Sequence, residues 1–351
     1  MYTSFTIQNF RCFERLELSD LARVNLIAGK NNAGKTSLLE AIYINVGNIP
    51  QEILFRMSSD PADREPPYEG NSSRSLPAWR SLFRDFNTAQ PIALTGHFDS
   101  EVFEAVMQVV PFDEMEFRET YISQGLRPID LPYHLRSVAE VLKVSHQNKV
   151  YYAFQRGSQV HHDRIPKPLL PISFSPAQGD VSPQRNVAPL SRFILSGRRD
   201  LILGILCVLE PRLQNIEILF DIPYGHVGLA EPIPITLMGE GINRLLSIIL
   251  TIGSTSGGVV LIDEIENGLH YSVLVDVWRA IGRAAREFDV QVFATTHSLE
   301  TIHAAHQAFS ESEPYDFRYH RLDRRRSGEI AAVTYEAEDM ESSIESNFEV
   351  R

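Results

Sequence analysis

Cysteine is nearly absent: 351 residues hold two, Cys12 and Cys207. A disulfide framework is thereby excluded, as is a cysteine zinc site, since no C-x-x-C pair occurs; both fit a reducing compartment. Long apolar runs are missing too. The longest, residues 201–209 and 245–252, fall well short of the roughly 20 residues that cross a bilayer. The opening MYTSFTIQNF lacks the basic-then-apolar order of a signal peptide. No membrane partner is expected, and the expected location is cytoplasmic. Positive charge is in deficit: Lys plus Arg number 33 against 45 Asp plus Glu, a formal net charge of −12. Such a field repels nucleic acid as a whole, so any DNA contact has to be local or made by an assembly. A hydrophobic content of 43% with 22% charged residues is that of a folded globular chain.

Against this background one stretch stands out, Gly29-Lys30-Asn31-Asn32-Ala33-Gly34-Lys35-Thr36, a full match to the phosphate-binding pattern G-x-x-x-x-G-K-[ST]. Residues 24–28 read as a buried strand and 37–46 carry apolar residues at helical spacing, so the loop lies between strand and helix. Glycines at 29 and 34 let backbone N–H groups turn inward on a phosphate, and the helix that begins near Ser37 adds its positive end. Lys35 is expected to reach the β- and γ-phosphates, and Thr36 to offer a hydroxyl to Mg²⁺. A second run, Gly257-Gly258-Val259-Val260-Leu261-Ile262-Asp263-Glu264, is apolar and ends in two carboxylates. A buried strand delivers both acids at its carboxyl end, where doubly wound sheets place their ligands. Asp263 is expected to hold Mg²⁺, directly or through water, and Glu264 to polarise the attacking water as general base.

Two further segments have the right order. Gly239-Glu240-Gly241 precedes a helix, and glycines at a helix start with free N–H groups form an anion site. Residues 290–294 read as another buried strand, ending in Thr295-Thr296-His297-Ser298.

These strings carry a family resemblance. TIQNFRCFERLEL followed by GKNNAGKTSLLEAI, and later DEIENGLH, resemble the RecF-like and OLD-like branch of ABC-type ATPases. The resemblance implies an α/β P-loop NTPase of ABC type, with an N-terminal antiparallel β-lobe and a helical signature lobe inserted between Walker A and Walker B. It implies an ATPase domain over 1–305, comprising a β-lobe with Walker A at 1–160, a signature lobe at 190–257, and Walker B with a switch histidine at 258–305. A hairpin and short helix would follow over 306–351. ATP and Mg²⁺ are the implied ligands. His297 would sense the γ-phosphate, and Gly239, Glu240 and Gly241 would complete the site of an opposite subunit. That signature-like loop departs from the common form, with no serine beside its glycines and Ile242 in place of a polar residue. Arg11 is placed near the phosphates by the resemblance, while a surface arginine in a turn is the equal alternative. The partners implied are a second copy or a larger self-assembly, and a separately encoded effector such as a nuclease or toxin in DNA processing or phage defence. No fused nuclease is expected, since little chain follows Tyr335. An ATP-locked scaffold or sensor with negligible turnover is the alternative function.

The remaining chain is read from pattern alone. Strands are expected at 2–8, 14–18, 92–98, 116–123, 150–155, 169–174, 216–222 and 233–237, and helices at 101–109, 198–209 and 271–288. Residues 57–77 read as an exposed loop. Residues 315–322 and 329–335 form a hairpin, with a short acidic helix at 338–348. His161-His162-Asp163 reads as solvated loop, and Glu300, His303 and His306 as a solvated helix face. Of two basic clusters, 192–199 and 318–326, the second reads as a solvated hairpin tip.

Overall fold

The computed structural model describes residues 1–47, 78–123, 140–156, 159–162, 167–177 and 182–345. The loop expected at 57–77 and Asp163 lie outside them. Alternating burial sets the first elements. β1 (Tyr2–Phe10) and β2 (Phe13–Leu18) pair antiparallel and bury Phe5, Ile7, Phe10, Phe13 and Leu16 on one face. β3 (Val24–Gly29) is buried at every position, as a strand covered on both faces must be, and runs through the glycine-rich loop into α1 (Lys35–Asn45). β4 (Ile92–Phe98), β5 (Glu101–Pro111), α2 (Glu114–Ser123), β6 (Glu140–His146), β7 (Lys149–Arg156) and β8 (Gln159–His162) follow. The strands join into one antiparallel sheet of order β2-β1-β4-β5-β6-β7-β8.

Three expectations fail in this lobe. Residues 101–109 form a strand, because Phe103, Ala105 and Met107 alternate into the core; the period of two outweighs the helix propensity of Glu, Ala and Met. Residues 116–123 are helical. Asp113 starts that helix by accepting the N–H groups of Met115 and Glu116 at 2.8 and 3.0 Å, a side-chain cap of the usual kind, and Glu114 pairs with Arg118 one turn on. His161 and His162 belong to β8 rather than to a loop.

The second half is wound around a different sheet. β9 (Ile172–Ser175) leads to α3 (Val187–Leu195) and α4 (Arg199–Leu206), then to β10 (Asn215–Leu219), β11 (Ile222–His226) and β12 (Ile233–Pro234). The strand expected at 216–222 is thus two, because Phe220 and Asp221 adopt positive φ and turn the chain. α5 (Glu240–Ser254), β13 (Val259–Ile262), α6 (Leu274–Glu287), β14 (Gln291–Thr296), α7 (Leu299–Ser310), β15 (Phe317–Arg324), β16 (Ile330–Tyr335) and α8 (Ala337–Glu345) complete the order. The central sheet runs β16-β15-β3-β14-β13-β9 and is parallel except for β16. Neighbouring residues of one strand feed two cores. Val260 and Ile262 pack with Leu246, Trp278 and Phe309 of the helices, while Val259 and Leu261 pack with Leu38 and Ile42 of α1 and with the antiparallel sheet.

This is an α/β architecture, with the expected N-terminal antiparallel β-lobe and a helical lobe inserted ahead of β13. The terminal hairpin extends its central sheet, since β15 pairs with β3 from Phe317↔Val24 to Leu322↔Gly29. Among the described residues no helix is long and apolar enough to cross a membrane.

Candidate functional site

Parallel pairing brings the site together. The registers Ala28↔Thr296 and Ile262↔Ala294 bring the residues after β3, β13 and β14 to one edge of the sheet, the carboxyl edge at which such folds bind ligands. The first of these segments is the glycine-rich loop. Gly29 has φ +152°, and a Cβ there would lie 2.6 Å from the carbonyl oxygen of Leu322. Gly34 has φ +88°, and a Cβ there would lie 2.6 Å from Cys12 Sγ and from Phe13 Cζ. Both glycines are therefore required by shape. Asn32 takes the left-handed conformation as well, and Ala33 N–H closes a turn on Lys30 O at 3.1 Å. Lys35 Nζ donates to Gly29 O at 2.8 Å and to Lys30 O at 3.4 Å. Burial pushes its ammonium below the usual lysine range, against the fields of Asp263, Glu264 and Glu266.

The carboxylates are tied in by hydroxyls. Thr36 Oγ1 donates to Asp263 Oδ2 at 2.9 Å, across 227 residues of sequence, and Thr295 Oγ1 donates to Asp263 Oδ1 at 2.5 Å. Thr295 Oγ1 also accepts the backbone N–H of Glu264 at 2.9 Å. Glu264 sits at φ +48°, a conformation that costs a non-glycine residue about 1 kcal/mol or more. Its Oε2 accepts from Asn267 Nδ2 at 2.9 Å. Glu266 Oε1 accepts the backbone N–H of His297 at 2.9 Å and lies 3.0 Å from His297 Nδ1.

This donor set fits both expected ligands. A hydroxyl and a carboxylate oxygen converge on one point, the hard-oxygen set that holds Mg²⁺ together with phosphate oxygens and water. The loop, its lysine and the start of α1 offer N–H groups and positive charge to a phosphate. Among the described residues no group of three or more His, Cys, Asp or Glu is arranged to hold a metal by itself.

Two sequence candidates lie apart from this constellation. Arg11, at φ +50°, pairs through Nε with Glu40 Oε2 at 2.7 Å, on the helix that leaves the phosphate loop. Gly239, Glu240 and Gly241 open α5 and pack on the segment after Walker B: a Cβ on Gly241 would lie 3.7 Å from Leu269 Cδ2, and one on Gly268 would lie 3.1 Å from Glu240 Oε1. Thr295, Asn267 and Glu266 had no role from sequence, although all three lie within segments that drew attention. Their positions relative to the two acids and His297 depend on how β13 and β14 pair. Arg324 is a further surprise. From the hairpin tip its Nη2 donates to Asn32 O at 2.9 Å, so the cluster read as solvated touches the phosphate loop.

Comparison with known proteins agrees with this geometry. The family model described as "AAA domain, putative AbiEii toxin, Type IV TA system" matches residues 118–302, and that described as "AAA ATPase domain" matches residues 1–131. The chain is similar to an "ATP/GTP phosphatase" of Helicobacter pylori, 23% identical over 343 residues, with 89% of this chain and 90% of that protein covered. Shorter matches reach the "OLD nuclease" of Thermus scotoductus, 28% over 113 residues, 32% of this chain and 17% of that one, and the "DNA replication and repair protein RecF" of Bacillus mycoides, 50% over 42 residues, 12% of this chain and 11% of that one. In fold the chain is similar to an SMC head solved with the C-winged helix domain of ScpA, with TM-score 0.51 at 14% identity, covering 98% of this chain and 99% of that one.

Proposed function

The chain belongs to the AAA-domain family matched over residues 118–302, and from that membership we propose that it hydrolyses ATP as a dimer closed around two Mg-ATP. The observation that carries this reading is the meeting of Thr36 with Asp263 at 2.9 Å, beside a Glu264 carboxylate held by Asn267. Phosphoryl transfer asks mainly for positioning and charge neutralisation. Lys35 and the loop N–H groups bind and orient the phosphates. Thr36 and Asp263 would hold Mg²⁺, which would supply charge neutralisation at the phosphate oxygens. Glu264 takes the proton of the attacking water, and His297 contacts the γ-phosphate side. Gly239, Glu240 and Gly241 supply N–H groups to the nucleotide of the second copy; the packing of this loop on residues 268–269 rather than on its own phosphate loop supports that trans role.

The energy of closing and opening acts on a separate effector, a nuclease or toxin in DNA processing or phage defence. Support for this step is the toxin named in the family description and the nuclease and repair proteins named among the relatives. Light scattering with Mg²⁺ and ATP on wild type and Glu264→Gln, paired with phosphate release, tests the core of the reading. The expected result is an ATP-dependent doubling of mass in the variant and phosphate release by wild type. A mass indifferent to nucleotide together with no phosphate release overturns it in favour of a scaffold.

A further inference from the structure

Glu266 is a carboxylate spent on a histidine. Its side chain is 12% exposed, and Oε1 is used twice, by the backbone N–H of His297 at 2.9 Å and by the Nδ1 edge of the ring at 3.0 Å. Its Oε2 is buried without a hydrogen-bond partner among the described residues, an arrangement that costs stability. A side chain kept only to hold a turn needs neither the charge nor the unsatisfied oxygen. The turn has other ties: Ile265 N–H donates to Thr295 O, Asn267 N–H to Glu264 O, and Leu269 N–H to Glu266 O, at 2.9 to 3.1 Å.

We propose that Glu266 is the positioning residue of His297, fixing its ring orientation and tautomer for contact with the nucleotide. The inference rests on the ATPase reading given above. An ionised carboxylate only accepts hydrogen bonds, so Nδ1 must carry the proton that lies between the two groups. The ring is thereby pinned, because Oε1 also holds the backbone of the same residue. Nε2 makes no hydrogen bond among the described residues and the side chain is 52% exposed, so Nε2 is the ring atom available to a ligand. In the neutral ring Nε2 carries the lone pair and accepts a bond, as from the attacking water; it meets a phosphate oxygen only when the ring is doubly protonated. Asn267, the next residue, orients Glu264. One turn thus aims two side chains at the same substrate.

The test uses Glu266→Ala, Glu266→Gln and His297→Ala in the full chain, with phosphate release and ¹⁵N chemical shifts of the His297 ring in nucleotide-free protein. Glutamine keeps an acceptor oxygen, so Glu266→Gln is expected to retain the Nδ1–H tautomer and to stay within about 3-fold of wild-type kcat. Glu266→Ala is expected to lose that tautomer and to fall to the rate of His297→Ala, about 10-fold or more below wild type, with KM for ATP little changed. The double variant should be no slower than His297→Ala alone, as coupled residues require. Unaltered melting of Glu266→Gln confirms that the fold is intact. A Glu266→Ala protein that keeps the Nδ1–H tautomer, or that turns over like wild type while His297→Ala does not, overturns the inference. If wild type releases no phosphate, the ATPase reading fails, and the tautomer of Glu266→Ala still decides whether Glu266 sets the ring.

Discussion

Three contacts, two threonine-to-aspartate and one asparagine-to-glutamate, set the surroundings of the acids at this site. Asp263 is engaged by Thr36 on one oxygen and by Thr295 on the other, while Glu264 takes a positive φ and is held by Asn267. Adjacent carboxylates just after β13 thereby have different surroundings, which suits the separate roles proposed for them, metal holding and water activation. Asn267→Ala removes the bond to Glu264 without touching the phosphate loop. We expect kcat to fall about 10-fold at little cost in KM, since a hydrogen bond to a charged group is worth about 1.5–3 kcal/mol. Steady-state phosphate release at varied ATP reads the two constants apart, and an equal rise in KM with kcat unchanged refutes the assignment.

At the scale of elements, the β15–β16 hairpin lies where its sequence reading puts it, but its basic residues make more contacts than a solvated tip implies. Its arginines are largely spent within the chain: Arg318 on Glu336, Arg321 on Asp323 and Arg325 on Glu329. Arg324 buttresses the phosphate loop through Asn32 O. Arg324→Ala should leave the fold intact and weaken ATP binding about 5-fold, the effect of one hydrogen bond near 1 kcal/mol. Lys35→Ala should weaken it far more. Titration with a fluorescent ATP analogue compares them, and an Arg324→Ala affinity equal to wild type removes the hairpin from the nucleotide site.

The element pattern also shows what was legible. β3 and β13 were readable because a parallel strand buried on both faces must be apolar throughout. β5 and α2 were exchanged for helix and strand because their signals were weak and local: an alternation through Phe103, Ala105 and Met107, and a cap at Asp113. The resemblance to RecF-like and OLD-like ATPases, carried by the strings at residues 6–18, 29–42 and 263–270, agrees with the matched families and relatives.

At the scale of the whole molecule, stability should be lost in acid. His320 is fully buried in the central sheet, with Nδ1 3.0 Å from Thr334 Oγ1 and Nε2 3.4 Å from Asn25 Oδ1. Burial, aided by Arg318, pushes its imidazole down to about 4. The unfolded chain binds the proton near its ordinary value of about 6.5. Between these values the unfolded state holds more protons, so stability falls as pH drops from about 6.5 to about 4, by about 3 kcal/mol from this group. Melting temperatures from pH 7.5 to 5 should decline for wild type and decline less for His320→Gln. Parallel slopes for the two proteins would show that His320 does not titrate in this way.

Sequence alone determined where the phosphate-loop pattern, the paired acids after a buried strand and the histidine after the next strand lie, and the RecF-like and OLD-like resemblance, because each is a local string whose residue types can be read without the fold. Tertiary structure alone decided which side chains orient those groups. Thr295 reaches Asp263, Glu266 reaches His297 and Arg324 reaches Asn32 only because parallel pairing lines up strands from distant parts of the chain at one edge of the sheet. That register is set by packing on both faces of the sheet, which no local string records.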